Sequence, residues 1–464
     1  MQKPDLVIVG AGPAGMAAAN QAAELGLKVC ILDEQSNPGG QIYRDVDRVA
    51  PIRGDALGAD YTYGTRLTDK LHHANIVHMS GATVWAIEKG FCVSYTQNGR
   101  GAQIIADHIL LATGALERPM PIPGWTLPGV MTAGAGQILL KQSGVVAQNA
   151  VLVGSGPLLY LIACQMLRAG SAPKALIETQ TGADTRAALR HLPRALQGWP
   201  YLVKGLKMLA AIRRAGVPRY QGTASVSITG TDHVEAVHFM HKGRTKSISC
   251  DTVFMHHGVV PNTQAARSLG IAHHWHNAQQ AFVPKLDEWG HSDFAGVFIA
   301  GDSAGIGGAK TAEAYGKLTA LKIAEMTGRL TVGERDRKAS PIQRSLSHEL
   351  AARPFLDTAY PPFNAALTPS DNTLICRCEE VTAGDIRRYT KLGCTGPNQA
   401  KAFGRAGMGP CQGRYCGLTV TTLIAKETGQ SPDTTGYYRI RPPLKPVTLG
   451  EIAAMDITTD ESPQ

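Results

Sequence analysis

The sequence predicts an α/β protein with two units of alternating strands and helices, followed by a small cysteine-containing domain. Three observations support this prediction: a glycine-rich turn after an apolar run near the N-terminus, a second such turn at residue 154, and five of the nine cysteines within residues 376–416. A chain of 464 residues is long enough for two to four domains. Its 44% hydrophobic and 18% charged residues argue against disorder.

The first glycine turn follows the apolar run DLVIV at residues 5–9, which is typical of a buried parallel strand. A helix-like run, MAAANQAAELG, comes next, and a second strand, KVCIL, ends at Asp33. This order of strand, turn, helix and strand is the fingerprint of a Rossmann-like dinucleotide-binding unit. The turn itself consists of Gly10, Gly12, Pro13, Ala14 and Gly15, with Ala11 after the first glycine.

Each glycine of the turn has a separate expected role. Gly10 makes the tight turn, Gly12 lets the backbone approach a pyrophosphate, and Gly15 lets the helix pack closely on the strand. The helix N-terminus then offers free N–H groups to the phosphates. Asp33, with Glu34 as the less favoured alternative, would bind the ribose hydroxyls. Either carboxylate would repel a 2′-phosphate, so FAD or NAD fits better than NADP.

A second unit, AVLVGSGPLLYLIACQMLRAG, begins at residue 150. It keeps Gly154 and Gly156 but replaces the third glycine with Leu159, and Glu178 ends the next strand at nearly the spacing of Asp33 in the first unit. A second Rossmann-like domain is therefore expected. Its occupancy by NAD(H) stays open, because Leu159 should push the helix away from the strand.

Two further segments end strands in small residues. The strand HILLA ends at Ala112 and leads into Thr113 and Gly114, and GVFIAGD ends at Gly301 and Asp302 before a long predicted helix. Alone, Asp302 fits a helix N-cap equally well, and the segment PGGQ at 38–41 fits an ordinary loop. His256 and His257 are candidates near a cofactor, although a structural role is favoured.

The cysteines divide into scattered and clustered sets. Cys30, Cys92, Cys164 and Cys250 lie in apolar runs and are expected to be inert thiols. Four thiolates in two close pairs can hold zinc or a [2Fe–2S] cluster. The Cys-x-Cys spacing suits a tetrahedral zinc chelate less well, so a cluster is favoured over zinc and over free thiols, and Cys394 is expected to be a spectator. The expected ligands are Cys376, Cys378, Cys411 and Cys416.

These segments predict a domain organisation. The FAD-binding domain is discontinuous and the second dinucleotide-binding domain is inserted into it; a linker, a [2Fe–2S]-binding domain and a C-terminal tail follow. The predicted ranges are 1–130 with 255–330, 131–254, 331–370, 371–430 and 431–464, in that order.

The motif order from residue 1 to 330 resembles that of flavoproteins with two dinucleotide-binding domains. The resemblance implies FAD across the first domain. No cysteine occurs in 37–45 or 131–145, so the redox-active cysteine pair of the disulfide reductases is missing and electrons must leave the flavin by another route. The resemblance implies that the glycine turn holds the pyrophosphate and that the following residues contact the rest of FAD: Asp33, Gly40, Gln41, Val84, Ala112, Thr113, Gly114, Gly301 and Asp302.

The segment ICRCEEVTAGDI…GMGPCQGRYC resembles the [2Fe–2S] domain of bacterioferritin-associated ferredoxin, although its second pair is spaced Cys-x₄-Cys rather than Cys-x-x-Cys. Together with GGQIYR and RPPLKPV, it makes the whole chain resemble the α subunits of heteromeric dye-linked amine and imino-acid dehydrogenases, the opine oxidase, hydrogen cyanide synthase, D-hydroxyproline dehydrogenase and L-proline dehydrogenase type. The resemblance implies a catalytic β subunit with its own FAD, a small third subunit in a higher-order heteromer, FMN at a subunit interface, and NAD or ATP in the second dinucleotide site.

The sequence therefore predicts an electron-transfer subunit without catalytic acid, base or nucleophile of its own. A self-sufficient NAD(P)H:acceptor reductase and a non-enzymatic scaffold or ferredoxin-like docking module are the alternatives. The chain has no signal peptide or membrane-spanning run, which predicts a cytoplasmic protein that meets a membrane only through partners.

The net charge of +9 comes largely from one stretch, residues 186–219, which holds eight Lys or Arg and no Asp or Glu. We interpret this stretch as a solvated helical face, with an acidic protein partner or a nucleotide phosphate as alternatives, and we expect no nucleic-acid partner.

Overall fold

The computed structural model describes residues 3–88 and 90–455 and contains two parallel five-stranded β-sheets. The first sheet brings together strands from both ends of the predicted FAD-binding domain. Its strands, in spatial order, are Val297–Ile299, His108–Leu111, Leu6–Val9, Val29–Asp33 and Ile76–Ser80.

The second sheet repeats this arrangement in the middle of the chain. Its strands, in spatial order, are Arg219–Tyr220, Ala175–Glu178, Ala150–Gly154, Thr252–His256 and Val130–Thr132. In each sheet the strand before the glycine turn is the central one. Because parallel strands place their carboxyl ends at one edge, each turn meets the ends of both neighbouring strands there.

The remaining strands form small antiparallel sheets. Two have three strands: Thr83–Glu88, Cys92–Gln97 and Arg100–Ile105, and Ala224–Thr229, Ala236–His241 and Arg244–Ser249. Three have two strands: Ala115–Glu117 with Val259–Pro261, His273–His276 with Ala281–Pro284, and Leu374–Cys376 with Val381–Thr382.

Helices cover the sheets and build the C-terminal part. The α-helices are Pro13–Glu24, Val46–Leu57, Ala59–Thr62, Thr65–Thr68, Ala133–Ser143, Pro157–Arg168, Gly182–Ala188, Leu192–Ala195, Trp199–Arg214, Gln264–Ser268, Ala309–Met326, Val332–Leu350, Arg353–Ala359, Asn364–Leu367, Ala383–Lys391, Pro397–Gly404, Gly417–Thr428, Pro432–Thr435 and Leu449–Ala453. Short 3₁₀ turns lie at Asp69–His72, Leu189–His191, Leu196–Gly198 and Gly301–Ser303.

The predicted strands and helices around both glycine turns are confirmed, because each run falls on an element of the expected type. The helices Pro13–Glu24 and Ala309–Met326 cross very closely: a Cβ on Gly316 would lie 2.1 Å from the carbonyl oxygen of Ala14. This crossing joins the first glycine turn to the segment that carries Asp302.

The prediction of a linker at 331–370 was wrong, because most of this segment is helical. Thr331 and Glu334 form a capping box that begins the helix Val332–Leu350, and Pro341 lies inside it. The buried Ala339 and Leu346 pack in one apolar cluster with residues of helix Ala309–Met326. The prolines suggested a loop, but burial of this apolar face outweighs their cost to the helix.

The prediction of a separate tail at 431–464 was also wrong over the part that the structure describes, which ends at residue 455. Tyr438, Ile440 and Leu444 are buried in the same apolar cluster as the cysteine segment. Their apolar side chains are stabilised by leaving water, so the chain folds back onto the preceding domain. Residues 456–464 of the predicted tail lie outside the described residues.

The basic stretch divides between helices and one strand. Arg219 lies in a strand of the second sheet, whereas the others lie on or beside the helices from Gly182 to Arg214. These helices expose Leu189, Leu196, Trp199 and Leu206 and border an open groove of about 920 Å³. Among the described residues, no helix is long and apolar enough to cross a membrane.

Candidate functional site

The first glycine turn needs glycine at two positions for reasons internal to the protein. Gly10 has a φ of +108°, and a Cβ there would lie 2.5 Å from the carbonyl oxygen of Ala112. A Cβ on Gly15 would lie only 1.9 Å from the carbonyl oxygen of Gly10. The turn and the close helix packing assigned to these two glycines are thereby confirmed.

Gly12 differs from its neighbours because the protein does not require glycine there. Its φ is −76°, and the nearest atom to an added Cβ would be the Cα of Gly40, 3.9 Å away. Gly12 is the N-cap of helix Pro13–Glu24 and has no side chain to cap it. The space beside Gly12, at a helix N-terminus with free N–H groups, is therefore suited to an anionic group such as a pyrophosphate.

The loop at 38–41 is bound directly to this turn. The Gly39 N–H donates to the carbonyl oxygen of Ala11 at 2.8 Å. Gly40 has a φ of +59°, and a Cβ there would lie 2.8 Å from the Cα of Gly12. The loop is thus part of the glycine-turn site, and Gly40 must be glycine for this close approach.

Asp33 and Glu34 occupy different environments. Asp33 is buried; its Oδ2 accepts from the Ala11 N–H at 2.5 Å and its Oδ1 accepts from the Gln35 N–H at 2.7 Å. Burial raises the pKa of this carboxyl. Glu34 is exposed and forms an ion pair with Lys445 at 2.5 Å. Asp33 holds the glycine turn in shape, and ribose binding by either residue stays a prediction.

Asp302 organises the approach to the long helix without being its N-cap. The N-cap of Ala309–Met326 is Gly308, whereas Asp302 Oδ1 accepts the N–H groups of Gly307 and Gly308 at 2.9 and 3.0 Å. Gly301 lies against the first turn, since a Cβ there would be 2.8 Å from the Cβ of Ala14. This segment therefore borders the first glycine turn, and the contacts of Gly301 and Asp302 with FAD stay predictions.

The other predicted FAD contacts lie on elements that border the turn. Thr113 Oγ1 donates to the carbonyl oxygen of Asn262 at 3.1 Å, and the Asn262 N–H donates to the carbonyl oxygen of Gly114 at 3.0 Å. Val84 lies in the strand Thr83–Glu88, which begins just after the Ala82 N–H bonds to the Asp33 carbonyl oxygen at 2.8 Å. Their contacts with a cofactor stay predictions.

One buried residue of this site, Lys141, was not predicted from the sequence. Lys141 is 1% exposed, and its Nζ donates to the carbonyl oxygens of Gln41 and Ile42 and to Gln137 Oε1, each at 2.9 Å. Burial, reinforced by the nearby Arg44 charge, lowers the pKa of Lys141 to about 7. A lysine in the helical run GAGQILLK is typical of an exposed residue at a helix end, so no sequence signal pointed to it.

The second glycine turn resembles the first one at its first glycine but not at its second, since Gly156 has a φ of +124° and Gly12 a φ of −76°. Gly154 has a φ of +128°, and a Cβ there would lie 1.7 Å from the carbonyl oxygen of His256. His256 is the last residue of the neighbouring strand, just as Ala112, which lies against Gly10, directly follows a neighbouring strand of the first sheet. The His256 ring lies 3.2 Å from where a Cβ on Gly156 would be. The His256 ring therefore borders Gly156 in the second turn, whereas the corresponding position beside Gly12 in the first turn is open.

His256 and His257 have structural partners. His256 Nδ1 lies 2.6 Å from Glu117 Oε1, and Glu117 Oε2 accepts from the Gly134 N–H at 2.7 Å. His257 bonds to the carbonyl oxygen of Pro119 at 2.8 Å, and burial holds its pKa well below the usual range. The structural role favoured for both histidines agrees with these contacts.

Glu178 is fully buried, and its carboxylate is occupied by protein groups. Arg219 donates to it from Nε at 3.0 Å and from Nη2 at 2.9 Å, and Gln180 Nε2 donates at 2.8 Å. The Tyr160 hydroxyl also donates to it, and Tyr360 packs edge-on against that ring at 6.0 Å. In this conformation Glu178 offers no free oxygen to a ribose, and its predicted nucleotide contact stays a prediction that the geometry does not favour.

The four predicted cluster ligands lie in two pairs, Cys376 with Cys416 and Cys378 with Cys411. The neighbouring Cys416 thiol lowers the pKa of Cys376 to about 6, with help from the N–H groups of Gly407, Glu379 and Cys378, while the pKa of Cys416 is raised well above its usual range by Cys376. Burial raises the pKa of Cys378, whose neighbour is Cys411. All nine cysteines are free thiols. Among the described residues, no three His, Cys, Asp or Glu side chains are arranged to hold a metal ion.

Tyr438 is the centre of the cysteine loop. Its hydroxyl lies 3.8 Å from Cys416 Sγ, and its ring lies within 2.5 Å of where Cβ atoms on Gly407 and Gly413 would be. These glycines are therefore required because the ring fills their side-chain space. The sequence reasoning placed Tyr438 in a tail and missed this role, although the glycine spacing around Cys411 was its signal.

Three of the basic residues near the cysteines contact a carboxylate or an aromatic ring. Arg405 pairs with Glu379 at 2.8 Å, Lys401 lies over the Tyr438 ring at 4.7 Å, and Arg377 lies over the Trp125 ring at 5.6 Å. Arg414 is different, because its Nη1 donates to the carbonyl oxygen of Cys411 at 3.1 Å and it also donates to Leu444. Cys394 is buried, and its thiol donates to the Gly396 carbonyl oxygen at 3.3 Å.

Comparison with known proteins identifies the two parts of the chain. Residues 4–319 match the family described as pyridine nucleotide-disulphide oxidoreductase, and residues 370–456 match the sarcosine oxidase A3 domain. The second match extends beyond the predicted boundary at 430, in agreement with the folded residues up to 455.

The relatives match over nearly the whole chain. An opine oxidase subunit from Rhizobium meliloti (strain 1021) is 44% identical over 97% of this chain and 98% of its own length. The hydrogen cyanide synthase subunit HcnB from Pseudomonas aeruginosa is 32% identical over 95% of this chain and 96% of its own length.

The solved structure of L-proline dehydrogenase from P. horikoshii has the same fold with a TM-score of 0.72, at 19% identity, over 97% of this chain and 79% of that chain. The chain therefore belongs to the pyridine nucleotide-disulphide oxidoreductase family of flavin-dependent oxidoreductases, within the group that includes these opine oxidase subunits.

Proposed function

We propose that the protein is the electron-transfer subunit of a heteromeric dehydrogenase that oxidises an amine or imino acid on a partner β subunit. The observation that carries this proposal is that the short segment 262–264 is hydrogen-bonded to both candidate cofactor sites. Asn262 bonds to Thr113 and Gly114 beside the first glycine turn, at 3.1 and 3.0 Å. Gln264 Nε2 donates to the carbonyl oxygen of Gln412, next to Cys411, at 3.3 Å.

FAD fits the first site on the geometry of this chain. Gly12 borders open space at a helix N-terminus, the docked loop at 39–41 forms one wall, and Asp302 orders the loop before the second helix. Bound there, FAD would supply the redox chemistry. The protein's part is to hold the pyrophosphate with backbone N–H groups and to exclude side chains from the space beside Gly12.

A [2Fe–2S] cluster fits the cysteine site better than zinc. A two-iron cluster takes two thiolates at each iron, and the cysteines form the pairs Cys376–Cys416 and Cys378–Cys411. The Cys416 thiol and, to a smaller extent, three backbone N–H groups lower the pKa of Cys376 to about 6, which favours the thiolate that a cluster needs. Tyr438 and the glycines around it exclude water from this side of the site.

The second dinucleotide site is the weaker candidate. NAD or ATP would have to displace Arg219 or Tyr160 before a ribose could reach Glu178. FMN at an interface with a partner stays a prediction, as do the small third subunit, the higher-order assembly and the cytoplasmic location. The relatives named as subunits of opine oxidase and hydrogen cyanide synthase support a heteromeric partner. The substrate is proposed to be of the opine, proline, D-hydroxyproline or glycine type.

The test is purification of the chain with untagged partners, followed by absorption spectroscopy and extraction of flavin, iron and sulfide. We expect FAD and two irons with two sulfides per chain, and bleaching of both spectra when an amine or imino-acid substrate is added to the complex. Robust NADH-dependent dye reduction by the isolated chain, with no gain from a partner, would instead establish the self-sufficient reductase. Flavin and cluster spectra that do not respond during substrate turnover would point to the scaffold.

A further inference from the structure

Lys141 joins two parts of the molecule that are far apart in sequence. It lies in helix Ala133–Ser143, whereas two of its three acceptors, the carbonyl oxygens of Gln41 and Ile42, belong to the loop that packs on the first glycine turn. All three ammonium donors are used, at 2.9 Å each, so the lysine fixes the direction of two consecutive peptide groups.

Within the described part of the chain, Lys141 has no carboxylate partner. Its acceptors are two carbonyls and the amide of Gln137, the Tyr61 ring lies 5.6 Å from Nζ, and the nearby charge of Arg44 has the same sign. Buried ammonium groups ordinarily pair with an anion, because an unpaired charge in the interior is costly. The charge of the protonated ammonium is therefore not compensated by any described residue, which agrees with its lowered pKa of about 7 in the flavin-free protein.

The helix that carries Lys141 is held in place from the opposite side. Arg53 Nη2 donates to the Lys141 carbonyl oxygen at 3.1 Å, and Arg48 Nη2 donates to that of Gln142 at 2.8 Å. Gln137 Nε2 continues the network to Gln165 at 2.9 Å, and Gln165 donates to the Leu57 carbonyl oxygen at 3.0 Å. The ammonium is thus positioned by both dinucleotide-binding units.

We propose that Lys141 is a positioning residue for the flavin site: it holds the 41–42 backbone against the glycine turn and supplies the positive charge that balances the anionic cofactor. The inference rests on FAD binding at the first turn. Lys141 acts through the loop, since its three donors are engaged, and its charge should favour the reduced, more negative state of the flavin over the oxidised state. The Gln41 and Ile42 peptides, polarised by the ammonium, would transmit this preference.

The test compares the variants Lys141→Met and Lys141→Gln with the wild type, purified with bound flavin. We expect both to fold, to lose FAD about tenfold more readily, and to favour the oxidised flavin about tenfold, which for two electrons corresponds to about 30 mV. Lys141→Arg should restore most of the wild-type reduction potential of the flavin, because arginine keeps the positive charge. Two variants serve as controls: Gln137→Leu keeps the charge of Lys141 but removes one of its three acceptors, and Lys246→Met removes an exposed lysine of the same domain.

The outcomes separate this inference from the proposed function. A wild-type chain without flavin would overturn the FAD assignment itself. A flavin-containing wild type whose potential and FAD affinity are unchanged in Lys141→Gln would overturn only the role of Lys141. An equal shift in Gln137→Leu would assign the effect to packing of the helix and would equally overturn the role of the charge. If Lys141→Met does not fold, Lys141→Gln, which keeps an uncharged NH₂ donor group, provides the same comparison.

Discussion

Glu178 and Arg219 form a two-point ion pair, with Nε at 3.0 Å and Nη2 at 2.9 Å from the two carboxylate oxygens. Glu178 is fully buried, and Arg219 is the cation that faces its carboxylate. The pair occupies the position at which a dinucleotide-binding unit ordinarily presents a carboxylate to ribose. In this chain the carboxylate instead ties two neighbouring strands of the second sheet together.

Replacing Arg219 with Met should therefore destabilise the fold strongly. Breaking a buried pair leaves an uncompensated charge, at a cost of about 3–5 kcal/mol. Urea unfolding would measure the free-energy difference. Arg186→Met, on the exposed helix Gly182–Ala188, is the control and should change the free energy of unfolding by less than about 0.5 kcal/mol. Equal effects of the two variants would contradict the structural role of the pair.

Gly12 and Gly15 should respond differently to added side chains. A Cβ on Gly15 meets the Gly10 carbonyl oxygen at 1.9 Å, so Gly15→Ala should cost at least about 2 kcal/mol of stability. Gly12→Val meets open space in the protein but would fill the site of the pyrophosphate. We expect this variant to keep its fold, by circular dichroism, while losing its flavin. Normal flavin content in folded Gly12→Val would show that the cofactor binds elsewhere.

Cys411 and Cys394 test the cluster ligands. Cys411→Ser should abolish the iron–sulfur absorption, and the bound iron and sulfide, while flavin stays bound, because serine is a poor substitute for a thiolate at iron. Cys394 donates to the Gly396 carbonyl oxygen at 3.3 Å and has no cysteine neighbour in a pair. Cys394→Ser can keep that hydrogen bond and should retain the full complement of both cofactors. Retained iron in Cys411→Ser would refute the ligand assignment.

Lys141 should make the stability of the flavin-free protein depend on pH. Burial lowers its pKa in the folded state to about 7, whereas a lysine in an unfolded chain has a pKa of ~10.4. Between these values the unfolded state binds more protons, so the free energy of unfolding should rise with pH. The slope contributed by this group is at most about 1.4 kcal/mol per pH unit.

The measurement is the difference in unfolding free energy between wild type and Lys141→Met from pH 7 to 10. That difference should grow in favour of the wild type as the pH rises, and it should be flat below pH 7, where both states are protonated. Arg44, Arg53 and Tyr61 are the other ionisable groups around the ammonium. A pH-independent difference would show that Lys141 is not neutralised by burial.

The sequence alone determined the two glycine turns and most of their surroundings. The runs at 5–9 and 150–154 are apolar and short, and glycine at 10 and 15 has no alternative once the turn forms, so local chemistry was enough. The spacing of the cysteines along the chain already limits the groups they can bind. The fold, however, pairs Cys376 with Cys416 and Cys378 with Cys411 rather than the cysteines that are neighbours in sequence.

Only the tertiary structure decided what these elements contact. Lys141 and Tyr438 gain their roles through partners about a hundred and about twenty residues away, at Gln41 and Cys416. Glu178 matched its pattern, yet Arg219, which is remote in sequence, occupies its carboxylate. The prolines of 331–370 suggested a loop until a buried helix face outweighed them. Local pattern predicts backbone shape, whereas charge pairing and burial depend on which distant side chains the fold brings together.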